Sequence, residues 1–134
     1  MFRTMLVVPM LLGLLTFSGG AHYAPEPERD LAGVYVSSDK NPDGSQYQGI
    51  VEIVKQNDAF LLVWLSESEI VAVGIGIRSG NVLAVSYFAE PPGVVAYRVE
   101  EGNRLVGEWT VVGADGALFS ETLTKVPAAI SNYR

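Results

Sequence analysis

The sequence predicts an all-β fold: an eight-stranded antiparallel up-and-down β-barrel, with a two-layer β-sandwich as the alternative. Three observations carry this. Apolar runs of strand length recur along residues 31–125, no stretch holds a helical period, and nearly every junction is a short turn built on Gly, Asn or Asp. Short links favour antiparallel neighbours in chain order. A meander of this size removes its exposed edges by closing on itself.

Residues 31–36 (LAGVYV) read as the first strand, and 37–46 (SSDKNPDGSQ) as a turn-rich polar loop around Asn-Pro-Asp-Gly. Residues 47–55 and 59–66 form a hairpin turning at Asn57-Asp58, and 67–69 is a short acidic link. The central hairpin, 70–88, turns at Gly80-Asn81, where glycine accepts the positive φ of a type II′ turn. That turn pairs Ser79 with Val82, Arg78 with Leu83, Ile77 with Ala84, Gly76 with Val85, Ile75 with Ser86 and Gly74 with Tyr87. Gly74 and Gly76 share one face. Either Tyr87 covers bare backbone at Gly74 and the glycines let the sheet coil, or they leave room for a ligand. Residues 89–93 (AEPPG) are a rigid loop, 94–100 turns at Gly102-Asn103 into 104–112, and Asp115-Gly116 leads into 117–125. Residues 126–134 form a tail without a clear pattern.

The first 21 residues read as a secretory signal: a basic start at Arg3, an apolar run over 5–17, and the small residues Ser18 to Ala21. Residues 22–30 are an extended Pro- and Glu-rich linker. The expected location is therefore secreted or periplasmic, with no membrane span once the signal is cleaved. The 134-residue chain has no cysteine, so its core must hold without disulfides in an oxidising compartment. Losing the signal removes Arg3 and no acid, which makes the net charge one unit more negative than −6. Such a surface disfavours nucleic acid and anionic lipid.

Groups for catalysis are few. The single histidine, His22, sits beside the cleavage point, and there is no P-loop or dinucleotide fingerprint. Asp39, Asn41 and Asp43 offer loop oxygens, but DKNPDGS departs from an EF-hand, so neither a cofactor nor a dedicated metal site is expected. The densest constellation lies on the last three strands. The assumed turns pair Tyr97 with Glu108 and Thr110 with Glu121, placing two carboxylates and a phenol on one apolar face. If that face points inward the acids are desolvated with raised pKa values; if outward, they are ordinary solvated residues. The opposite face carries Arg98, which could lie across Trp109. The candidate ligand-binding residues are Tyr97, Glu108, Trp109, Glu121, Arg98 and Tyr87. Trp64 reads as core. Apolar residues on both faces of 59–66 imply that the tail, a loop or a second copy covers part of the exterior.

With Gly33-Val-Tyr35 on the first strand and Gly107-Glu-Trp109 late in the chain, the architecture resembles calycin-type barrels such as lipocalins and avidins. Lipocalins place tryptophan where this chain has Tyr35. The stretches DGSQYQGIVEIV, VGIGIRSGNVLAVSY, GVVAYRV and LVGEWT resemble a family of small exported bacterial β-barrel proteins, some labelled fibronectin-binding. The expected function is a non-catalytic binding module. It would take a small apolar ligand in the barrel if a cavity above about 300 Å³ lies beside Tyr97 and Trp109. A solid interior would point instead to a protein partner on the loops, an inhibitor of an extracellular or periplasmic enzyme being one form. A hydrolase using Glu108 and Glu121 as its carboxylate pair is the catalytic alternative.

Overall fold

In the structure, a computed structural model that describes residues 30–40 and 43–127, eight strands close into a barrel. They are β1 (Gly33–Lys40), β2 (Gln46–Gln56), β3 (Ala59–Ser66), β4 (Glu69–Ser79), β5 (Val82–Phe88), β6 (Gly93–Glu100), β7 (Arg104–Val111) and β8 (Phe119–Lys125). Each pairs antiparallel with the next, and β1 with β8, so the up-and-down barrel holds and the sandwich does not. The expected signal, nearly all of the linker, Asn41, Pro42 and most of the tail lie outside the described residues.

The central hairpin has the register its turn dictates, from Ser79↔Val82 to Gly74↔Tyr87, with Gly80 at φ 60°. Its glycines face inward and are covered by other side chains than expected. A Cβ on Gly74 would lie 2.9 Å from both Trp64 and Val85, so Trp64 rather than Tyr87 covers that backbone. Val85 and Leu83 stand in the same way against Gly76, so side chains occupy the inward face at both glycines.

Two later junctions differ from their expected turns. Residues 101–103 form a three-residue turn with Gly102 and Asn103 at positive φ, so Tyr97 pairs with Gly107 and Ala96 with Glu108. The next connection, 112–118, is longer than a two-residue turn and pairs Glu121 with Gly107 instead of Thr110. Both slips are odd in number, and side chains alternate faces along a strand. The first therefore turns Glu108 outward, and the second brings Glu121 back to the face of Tyr97. β1 also runs past its expected end to Lys40, because Ser37 and Asp39 continue the inward alternation of Tyr35 against β2 and β8.

Inward side chains fill the lower barrel. Val51, Leu62, Leu83, Tyr97, Leu105 and Leu123 have at most 1% exposure, and burial of each aliphatic contributes roughly 1.5–3 kcal/mol. Leu31 seals that end, and Tyr35 Oη donates to the Leu31 carbonyl at 2.9 Å. This is how the core closes without covalent cross-links.

The outer wall is uneven. Outward positions of β3 to β6 hold Leu61, Val63, Leu65, Val73, Ile75, Ile77, Ala84, Phe88, Val94 and Ala96, with Ser86 among them. Ile75, Ile77, Phe88 and Val94 are about half exposed or more. Four strands at ~4.8 Å spacing by three outward positions cover on the order of 400 Å², within the range of the largest apolar patch on a monomer, a kind of patch that is often functional.

Candidate functional site

Up-and-down connectivity puts residues 43–45 and the junctions 67–68, 89–92 and 112–118 at one end of the barrel, opposite the Leu31 seal. At that end the strands open into a cup of about 270 Å³. Its lining includes Tyr47, Trp64, Tyr87, Trp109, Val95 and Glu121, with residues 89–91 at the rim. A bulge helps shape it: Trp64 pairs with Ala72 and Leu65 with Ile70, which leaves Val71 as an extra residue facing the opening.

The floor is one inward rung running across five strands. Tyr97 on β6 pairs with Gly107 on β7, Gly107 with Glu121 on β8, Glu121 with Asp39 on β1, and Asp39 with Tyr47 on β2. Gly107 is required here. A Cβ on it would sit 2.5 Å from the Tyr97 ring, which lies over it on the way to β8. Tyr97 Oη then donates to Glu121 Oε2 at 2.5 Å. Asp39 is satisfied on both oxygens, accepting from Trp109 Nε1 at 2.9 Å and from the Lys40 amide at 2.6 Å. Glu121 is only 4% exposed, and its second oxygen, Oε1, has no hydrogen-bond partner. A buried polar atom left alone in this way is costly in a finished core.

Burial raises the Glu121 carboxyl from its ordinary 4.5 to about 7; the Asp39 charge adds to this, while Tyr97 and the nearby Trp64 indole oppose it. Burial, and then the charge of Glu121, push the Tyr97 phenol well up, and the same two causes push Tyr87 to about 12. The Tyr47 phenol is also raised, chiefly by burial. At neutral pH all three phenols are therefore donors rather than anions. Above the rung the aromatics brace one another: Trp64 and Tyr87 lie 5.7 Å apart and tilted by 54°, Trp109 and Phe119 4.7 Å apart. Tyr87 covers Gly93 and donates to the Thr110 carbonyl at 3.3 Å.

Of the six candidate residues, the structure brings together Tyr97, Glu121, Trp109 and Tyr87. Glu108 and Arg98 point outward and are exposed, and Arg98 pairs with Glu100 at 3.3 Å instead of lying across Trp109. Glu108 and Glu121 thus stand on opposite sides of the barrel wall. The cavity is slightly smaller than expected, and Tyr97 lies beneath it rather than in its lining. Sequence reasoning missed Asp39, Tyr47 and Trp64 as site residues. The available signal was the alternation Tyr35, Ser37, Asp39, which continues a strand through polar positions.

Of the three loop residues, Asn41 lies outside the described residues, and Asp39 and Asp43 do not converge. Asp39 faces the barrel interior, whereas exposed Asp43 accepts from the Ser45 amide at 2.8 Å. Compared with known proteins, the chain matches no family model and no curated protein at a significant level of similarity.

Proposed function

We propose that this protein is an exported, non-catalytic binding module that holds a small, largely apolar ligand in the aromatic cup at one barrel mouth. The observation that carries the reading is Glu121 Oε1, an unpartnered acceptor at the floor of a largely apolar cup. Binding sites combine apolar walls with a few such orienting groups. The volume suits a ligand smaller than a drug-sized molecule, for which cavities run from about 300 Å³ upward. The carboxylate pair of a glycosidase would need both acids in one cleft. Here Glu108 and Glu121 are separated by the wall, which weighs against the hydrolase alternative.

Titration with small aromatic and aliphatic amines, alcohols and acids, read by intrinsic tryptophan fluorescence, tests this reading. Trp64 and Trp109 both line the cup, so occupancy should change their emission. A flat response across all classes, together with native mass spectra free of bound molecules, would remove the reading.

A protein contact is the second proposal, favoured by the apolar outer face of β3 to β6, which has the Arg98–Glu100 pair at its margin, and the partner is a second copy of the chain. A net charge of −6 makes copies repel elsewhere, and this face is where two can meet without opposing charges. Native mass spectrometry reads subunit count and bound ligand together, so either proposal can fail alone.

A further inference from the structure

We propose that the cup selects a small organic cation, an alkylated ammonium of about the size of choline, with its charge beside Glu121 and its alkyl groups among Trp64, Tyr87 and Trp109. This rests on the reading of the cup as a ligand site and narrows it to one chemical class.

The charge pattern comes first. Among the described residues the lining contains two carboxyl side chains, Glu121 and Glu90, and no Lys, Arg or His. Asp39 stands beside Glu121 in the same rung. An anion would meet this group of acids with no counter-charge. The hydrogen bonding comes second. Two donors at the floor are already used, Tyr97 Oη on Glu121 and Trp109 Nε1 on Asp39, whereas Glu121 Oε1 has no hydrogen-bond partner although the Trp64 indole is near, and the residue is more than nine-tenths buried. A purely apolar ligand would leave that oxygen unpaired, whereas an ammonium offers it a counter-charge, even where full alkylation leaves no N–H to donate. The rings come third, since indole and phenol π-systems attract a desolvated cation, and such cages are a recurring means of holding quaternary ammonium groups. A cup of about 270 Å³ accommodates a ligand of this size.

The groups facing Glu121 are Asp39 from β1, Tyr47 from β2, Tyr87 from β5 and Tyr97 from β6, with Trp64 and Trp109 as uncharged neighbours and Glu90 at the rim. A bound cation favours the ionised carboxyl, so binding releases a proton from Glu121 when the free protein holds one. Affinity is then level above about pH 7 and falls about tenfold per pH unit below it. A neutral acceptor taking a hydrogen bond from protonated Glu121 would show the reverse dependence.

The test is a calorimetric titration of the full chain with choline and with its uncharged isostere, in which carbon replaces nitrogen, at about pH 6 and about pH 8. Choline should bind at least about tenfold more tightly than the isostere, and more tightly at the higher pH. In Glu121→Gln that preference should fall to what the rings and the other acids supply, and the pH dependence should vanish; the comparison of the two ligands on the unaltered protein needs no variant. Equal binding of the two compounds, or stronger binding at the lower pH, overturns the cation and leaves the cup as a ligand site. Binding of neither overturns it too, and a neutral aromatic probe that still quenches the tryptophans would then keep the broader reading standing.

Discussion

The Tyr97 hydroxyl reaches Glu121 across an intervening strand, over a residue with no side chain, Gly107. The phenol lies fully buried on top of β7, and the carboxyl it meets is thereby fixed at the bottom of the cup with one oxygen bonded and one free. Backbone, ring and acid form one unit, so a change in any of them should be felt in the others.

Gly107→Ala should destabilise the barrel by ~2 kcal/mol or more. The added methyl meets the body of an aromatic ring rather than a flexible chain end. Urea unfolding followed by tryptophan fluorescence measures the cost, and loss of the cup's ligand response should accompany it. An unchanged midpoint would mean that the ring does not lie over β7.

Stability should decline with pH between about 4.5 and about 7. The folded protein holds the Glu121 proton more tightly than the unfolded chain does, so the contribution is complete below the unfolded value and gone above the folded one. Glu121→Gln removes that dependence, and relative to the parent it should gain ~2–3 kcal/mol between acid and mildly alkaline pH. Thermal midpoints of both proteins across this range check the sign.

Tyr97→Phe should raise the Glu121 pKa further, because it removes the hydrogen bond that now lowers it. It should also cost ~1–3 kcal/mol by leaving a second buried oxygen unpaired. Carbon-detected NMR titration of the Glu121 carboxyl reads the first effect, and denaturant unfolding the second.

Ile75→Glu places a charge in the middle of the outer apolar face, where Ile75 is 48% exposed. If copies meet there, native mass spectra should move from dimer to monomer while stability changes by no more than ~0.5 kcal/mol. A parent protein that is already monomeric at high concentration would dismiss the contact.

Strand count, barrel closure and the central register were legible because Gly80-Asn81 admits one turn geometry and apolar runs mark each strand. The site was legible only in part, and the reason is parity. A loop of three residues after Glu100, rather than two, moves Glu108 to the outside, and no local propensity separates those lengths. Tyr97 and Glu121 were grouped correctly because two odd errors cancelled. Asp39 was hidden for another reason. Its neighbours Ser37 and Ser38 carry the composition of a loop, and pairing with β2 on one side and with β8, far along the chain, on the other holds them extended.

The packed layer of Tyr97, Leu62, Leu83 and Leu105 below the cup has a kinetic consequence. The molecule is a dish rather than a pipe: anything that enters must leave by the same doorway, past the rim at 89–92. Residence time should therefore follow the chemistry of that rim, and changes at the sealed end should leave it untouched.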